Sequence, residues 1–225
     1  MTTPSPVKVF LVDDHPLVRE SLTSLIDQQN GMKVCGSAEG IADAVKQIKT
    51  SSPDIAIVDL SLKDTSGLEL VKTIKLRWPE IGIIVLSMHD EGLYAERCIR
   101  AGARGYVMKR ESTRRIITAI REVAQGRLCV SEPVAAAFAE KFVGHRAKAT
   151  QFPLQELSDR ELEVFDLLGR GLGTRQIAGA LNVSIKTVQA YCARIKQKLH
   201  LSSATDLLRE AIRWHDRQSD GAGIQ

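Results

Sequence analysis

The sequence predicts two domains of different class: an α/β domain on a doubly wound, five-stranded parallel sheet, then an all-α domain with a helix-turn-helix. Two observations carry the first half. Short apolar runs alternate with amphipathic stretches from Val7 to about Gly126, and runs such as Ile55-Ala-Ile-Val58 and Ile83-Ile-Val-Leu86 suit strands covered on both faces. One observation carries the second: beyond about Leu157 the pattern is helical throughout.

The expected strands are 7–12, 33–37, 54–59, 82–87 and 104–108, with helices near 16–29, 40–49, 67–77, 91–101 and 112–125. In the second domain, Ser158 followed three residues later by Glu161 is a capping box, opening a helix that runs to about Leu168 and ends at Gly169 and Gly171. Thr174 can cap a short helix to Leu181, Ser184 a longer one to about Leu199, and Ser202 or Ser203 a last one to about His215. The domains therefore fall at 1–126 and 155–217. A linker occupies 127–154 and a Gly-rich, disordered tail 218–225. Ser131-Glu-Pro133 can open a helix within the linker, where Val134, Phe138 and Phe142 make an apolar stripe in need of a surface.

A hydrophobic fraction of 44% with 26% charged residues describes a folded globular chain. No apolar run approaches the roughly 18 residues that span a bilayer, and the first residues lack the basic and apolar regions of a signal peptide. Cys35, Cys98, Cys129 and Cys192 stand far apart, as isolated thiols of a reducing cytoplasm do. The net charge of +4 permits a nucleic-acid partner without requiring one. Its distribution says more. From Leu167 to Thr205 there is no acid, while Arg170, Arg175, Lys186, Arg194, Lys196 and Lys198 are basic.

In a doubly wound sheet ligands bind beyond the carboxyl ends of the strands. Here those ends carry Asp13 and Asp14, Asp59, Ser87 and Lys109. Three carboxylates repel one another unless a cation lies between them, and an all-oxygen set suits Mg²⁺ (or Mn²⁺). A carboxylate on such an ion, flanked by a lysine and a hydroxyl, is arranged for in-line attack on a phosphoryl group.

Val12-Asp-Asp-His-Pro16, the aspartate of Ile55-Ala-Ile-Val-Asp-Leu60, Gly67-Leu-Glu69, Ser87 and Gly105-Tyr-Val-Met-Lys109 resemble the receiver domain of bacterial response regulators. The resemblance implies that Asp59 accepts phosphate from a sensor histidine kinase. It implies that Asp14, Asp59 and the Ser61 backbone carbonyl bind Mg²⁺, with Asp13 acting through water or from behind the ligands. Ser87 and Lys109 would hold the phosphoryl group, and Tyr106 would turn inward behind it. Lys63 and Arg110 stand where many members have proline. His15 and His89 flank the site and are read as structural. A haloacid-dehalogenase-type phosphohydrolase also uses a strand-end aspartate, but needs a second acid two residues on, where this chain has Ser61. The chain is accordingly not read as an enzyme, beyond assisting phosphotransfer to, and hydrolysis from, its own aspartate. A regulator controlled by protein contact without phosphate is the other alternative.

Ile177, Ala178 and Leu181, a turn through Asn182 and Val183, then Val188, Tyr191, Ile195 and Leu199 give a short helix, a turn and a longer basic helix. Together with Leu157-Ser-Asp-Arg-Glu-Leu-Glu-Val164, Gln176-Ile-Ala178 and Lys186-Thr-Val188, they resemble the LuxR-type DNA-binding domain, so the whole chain resembles NarL/FixJ-type response regulators. The resemblance implies that helix 185–199 enters the major groove of double-stranded DNA. Gln189, Ala190 and Ala193 would face bases, while Lys186, Thr187, Arg194 and Lys198 grip phosphates. Leu207, Leu208, Ala211 and Ile212 are shared between the domain's core and pairing of two copies in an active homodimer. RNA polymerase is a further expected partner. Phosphate on Asp59 is expected to control dimerisation and DNA binding; in its absence the two domains are expected to contact one another, or to be held by the linker stripe, in a way that disfavours paired DNA binding.

Overall fold

The computed structural model describes residues 5–62, 66–89, 91–111, 113–142 and 153–220. The chain divides into two compact units, Met1–Val143 and Gly144–Gln225. Among the described residues no helix is long and apolar enough to cross a membrane.

The first unit holds strands β1 (Val7–Val12), β2 (Met32–Ala38), β3 (Ile55–Asp59), β4 (Gly82–Ser87) and β5 (Gly105–Met108), all parallel in the order β2-β1-β3-β4-β5. Helices α1 (Pro16–Asp27), α2 (Ile41–Ser51), α3 (Gly67–Arg77), α4 (Glu91–Ala101) and α5 (Thr113–Ala124) follow the strands in turn. Period-two alternation divides the strand residues between the two faces. Val9, Leu11, Ile55, Ile57, Ile84, Leu86 and Val107 pack with Leu22 and Ile26 of α1 and Ile116 and Ile120 of α5. The alternate residues Phe10, Ala56, Val58, Ile83, Val85 and Tyr106 are buried as well, and α2, α3 and α4 contact β2, β3 and β5. β3 and β4 are buried along their whole length, which is why they read as unbroken apolar runs.

Register decides where the polar strand ends meet. Val12 lies opposite Val58, Asp59 opposite Leu86 and Ser87 opposite Met108, so residues from four strands emerge at one edge. α3 starts directly behind this edge because the Ser66 hydroxyl accepts the Leu68 amide.

Residues 127–142, read from sequence as linker, pack onto this first unit. Cys129 forms a parallel bridge with Gly105 on the outer edge of β5. Helix α6 (Glu132–Phe142) packs on α4, with Val134 buried and Phe138 half-buried. Val134 and Phe138 of the stripe thus lie on a helix packed against the first unit itself. A single-residue strand pairing leaves no periodic signal, and the sequence boundary therefore fell at 126. The side chain of Phe142, the rest of the linker through 152, and Lys63 lie outside the described residues.

The second unit begins with a short 3-10 turn (Pro153–Glu156), followed by α7 (Asp159–Gly169), α8 (Thr174–Ala180), α9 (Ile185–Lys198) and α10 (Ala204–Asp220). The expected capping box is formed: Ser158 accepts the Glu161 amide, and the Glu161 carboxylate accepts the Ser158 amide. α8 departs from expectation. Thr174 is its first helical residue and Gly173 precedes it, with the Gly173 amide donating to the Gln176 side chain at 2.9 Å. Ser184 caps α9 through the Thr187 amide, and Ser203 accepts the Asp206 amide at the start of α10. Asn182 takes φ 49, the left-handed turn between α8 and α9 that asparagine tolerates. α7 and α10 cross closely: a Cβ on Gly169 would lie 2.6 Å from the Ala211 carbonyl oxygen. Beside this crossing the Phe165 and Trp214 rings meet at 5.9 Å. α10 continues through Asp220, so 218–220 are helical where a disordered tail was expected; 221–225 lie outside the described residues.

Candidate functional site

The strand ends build an acidic pocket. Asp13, Asp59 and Ser87 are buried, and Asp14 is partly so. The Lys109 ammonium reaches across from β5, 2.7 Å from Asp13 Oδ2 and 2.9 Å from Asp59 Oδ2. The other oxygen of Asp59 accepts the Ser61 amide at 3.1 Å. Asp13 Oδ1 accepts the His15 amide, and Arg19 donates to the Asp13 carbonyl, which fixes the turn after β1. Ligand atoms of Asp13, Asp14, His15 and Asp59 lie within 4.8 Å of one another.

The charge balance of this pocket is unusual. Burial pushes the Asp59 carboxyl up, and the contact with Lys109 offsets only part of that. Burial alone would lower Lys109, but its hydrogen bonds to Asp13 and Asp59 outweigh burial and carry the ammonium above its ordinary range. One lysine thus serves two buried carboxylates, with Asp14 beside them. A further positive charge would stabilise the ionised form of all three.

His89, read from sequence as structural, organises the opposite rim. Its amide donates to Ser87 Oγ at 2.9 Å, its carbonyl accepts the Tyr106 hydroxyl at 2.9 Å, and its Nε2 lies 2.8 Å from Ser61 Oγ. Its ring also packs on Tyr94 at 4.7 Å. The signal for it was position alone, two residues beyond Ser87. Tyr106, expected to turn inward on phosphorylation, is already inward here, buried with its hydroxyl held by His89. His15 is mostly exposed, but its Nδ1 lies 2.9 Å from Asp14 Oδ1.

The second surface is α9. Lys186, Gln189, Ala190, Ala193 and Arg194 are exposed along it. Arg194 lies 5.7 Å from the centre of the Tyr191 ring, which restrains the guanidinium. Thr187 is half-buried, with its hydroxyl bonded to Ser184. Lys198 does not fit the phosphate-gripping role read from sequence. Its ammonium is bound inside the unit, 2.6 Å from the buried Glu161 carboxylate and 3.0 Å from the Glu156 carbonyl. Lys196, read from sequence only as one of the basic residues of the acid-free stretch, lines a groove with Gln189, Cys192, Ala193 and Leu208.

The four pairing candidates separate cleanly. Leu207 (3% exposed) and Ala211 (0%) belong to the core. Leu208 (41%) and Ile212 (38%) lie one helical turn apart on the outside of α10.

Comparison with known proteins identifies both domains. Residues 9–121 match the response regulator receiver domain family, and residues 155–211 match the bacterial regulatory proteins of the luxR family. Oxygen regulatory protein NreC of Staphylococcus carnosus (strain TM300) is 33% identical over 211 residues, covering 92% of this chain and 97% of that protein. Response regulator UvrY of Escherichia coli (strain K12) is 32% identical over 207 residues, covering 92% and 94%. Among solved structures, RcsB from Salmonella enterica serovar Typhimurium, bound to promoter P1flhDC in the presence of phosphomimetic BeF3-, superposes with a TM-score of 0.64 at 25% identity, over 92% of this chain and 98% of that one. With a receiver domain carrying the acidic pocket and a luxR-family domain carrying the basic helix, the chain belongs to the NarL/FixJ-type response regulators.

Proposed function

We propose that this response regulator is switched by phosphorylation of Asp59 and that the switch controls pairing on, and sequence-specific binding to, double-stranded DNA. The observation that carries the reading is the Lys109 ammonium held between the buried carboxylates of Asp13 and Asp59. An Asp59 carboxylate oxygen forms the new bond to phosphorus as the bond from phosphorus to the donor breaks. The donor is a sensor histidine kinase or a small acyl phosphate. Lys109 is placed to neutralise the transferred oxygens, and Ser87 to donate its hydroxyl proton to one of them.

The donor set fits a hard divalent cation. Asp14, Asp59 and the Ser61 carbonyl are the ligands we assign, with Asp13 acting through water, and oxygen-only coordination favours Mg²⁺ or Mn²⁺. When bound, that ion supplies the positive charge that lets the donor phosphate approach three carboxylates. His15 offers nitrogen, is mostly exposed, and orients Asp14 rather than binding the ion. The chain acts on no other substrate in this reading; it assists phosphorylation and hydrolysis of its own aspartate.

On DNA, α9 occupies the major groove, with Gln189, Ala190 and Ala193 toward base edges and Lys186, Thr187 and Arg194 toward phosphates. Leu208 and Ile212 pair two copies on a two-fold site. RNA polymerase is the downstream partner and the cytoplasm the place of action.

Intact protein incubated with acetyl phosphate and Mg²⁺ should gain one phosphoryl mass, and the Asp59→Asn protein none. Titration of an operator fragment, selected from a random pool, should show tighter binding after phosphorylation. Labelling of Asp59→Asn equal to that of the unaltered protein refutes the assignment.

A further inference from the structure

The segment that follows α5 is fastened at two places. The first is the outer edge of β5, where the Cys129 amide donates to the Arg104 carbonyl at 2.8 Å and the Tyr106 amide donates to the Cys129 carbonyl at 3.0 Å. Arg115 of α5 adds a bond to the Val130 carbonyl at 2.8 Å. The second is the start of α4, where the Ser131 hydroxyl donates to Glu91 at 2.6 Å and α6, with its Val134 buried, packs on the same helix. Cys129 is itself part of the core.

Both fastenings fall on residues tied to the acidic pocket. Ser87 Oγ accepts the His89 amide, the His89 carbonyl accepts the Tyr106 hydroxyl, and the Tyr106 amide donates to Cys129. Three hydrogen bonds thus run from the pocket's hydroxyl to the segment, and Glu91 lies two residues beyond His89. The geometry also fixes what Ser87 can offer. With one lone pair engaged by the His89 amide, its own proton is directed away from that amide and is available to a phosphoryl oxygen on Asp59.

We infer that residues 128–142 form a docking strap: its attachment to β5 and α4 and the phosphoryl-ready arrangement of Ser87 stabilise each other. The inference rests on Asp59 as the phosphoacceptor. Phosphate on Asp59 engages Ser87, holds His89 and the start of α4 at Glu91, and so fixes the strap. A fixed strap sets the point from which the chain leaves for the DNA-binding unit. By reciprocity a docked strap favours phosphate on Asp59 to the same degree.

Hydrogen exchange of the intact chain, with and without beryllofluoride plus Mg²⁺, tests this. Amides 129–132 and 134–139 should exchange at least tenfold more slowly with beryllofluoride, together with slower exchange at 59–62 and 87–89. Protection at 59–62 with unchanged or faster exchange of the strap overturns the inference and leaves the phosphoacceptor reading standing. No protection at 59–62, with no mass gain from acetyl phosphate, overturns both. Ser131→Ala removes the hydroxyl shared with Glu91 and should weaken beryllofluoride binding several-fold, whereas Ser131→Thr should restore it. Equal affinity in all three proteins overturns the coupling.

Discussion

The Lys198 ammonium lies 2.6 Å from the Glu161 carboxylate, joining the last turn of α9 to the first turn of α7. Glu161 is buried and also closes the capping box with Ser158. Lys198→Ala should therefore destabilise the DNA-binding unit rather than act on DNA alone. A cost of about 1–2 kcal/mol is expected, below that of a fully buried pair because the lysine side chain is 36% exposed. Urea denaturation followed by Trp214 fluorescence in a Trp78→Phe background reads it. Burial by itself would raise Glu161, but its hydrogen bonds with Lys198 and Ser158 hold it below the usual glutamate range. Its contribution is therefore complete above the unfolded glutamate value and disappears as pH falls through the lower folded value. The stability lost in Lys198→Ala should shrink over that acid window; a pH-independent loss would rule out the ion pair as its source.

Gly67 begins α3 immediately behind the phosphoacceptor. A Cβ there would lie 2.0 Å from the Asp59 carbonyl oxygen, a backbone atom with no room to retreat. Gly67→Ala should cost roughly 3 kcal/mol or more in stability, since neither the strand end nor the helix start can move alone. Thermal unfolding of the variant should show the loss, and acetyl phosphate labelling should fall with it. Wild-type stability would mean that α3 can start elsewhere.

Lys109→Ala leaves Asp13 and Asp59 buried without their shared cation. Labelling by acetyl phosphate should slow by roughly 10²-fold, the scale for removing one stabilising donor from a reacting centre. Binding of Mg²⁺, followed by calorimetry, should persist, because the lysine competes with the ion for the same oxygens. Loss of both would point to collapse of the pocket instead.

On α9 the exposed cations and the exposed amide should separate in a binding assay. Lys186→Ala or Arg194→Ala should weaken every sequence alike and flatten the salt dependence by about one phosphate contact. Gln189→Ala should instead relax preference at one base position by roughly 1–3 kcal/mol if its contact is bidentate. Uniform weakening by Gln189→Ala across site variants would remove its reading role.

Leu207 and Leu208 are neighbours in sequence with opposite surroundings. Leu207→Ala should cost about 2–5 kcal/mol as a core truncation. Leu208→Asp should leave stability within about 0.5 kcal/mol while abolishing cooperative binding to a two-fold site. Denaturation and operator titration of the two variants separate core from interface.

Apolar periodicity determined much of this protein by itself. The unbroken runs of β3 and β4, the alternation with amphipathic helices, the Ser158–Glu161 capping box and the acid-free stretch through α9 are local patterns, and local patterns are what sequence spacing records. The strand-end residues Asp13, Asp14, Asp59, Ser87 and Lys109 were legible because parallel topology sends every strand end to one edge. What tertiary structure alone decided has no periodic trace. Lys198 reads as a free cation until folding places Glu161 beside it, a separation of 37 residues being invisible to a helical-face argument. Cys129 adds a single-residue parallel bridge outside β5, and α6, with Val134 buried, packs on α4. His89 gained its place from three separate elements whose atoms meet only when β3, β4 and β5 are in register. In each case the deciding contact joins residues distant in the chain, and burial of charge or closure of a sheet edge is satisfied by whichever partner packing brings near.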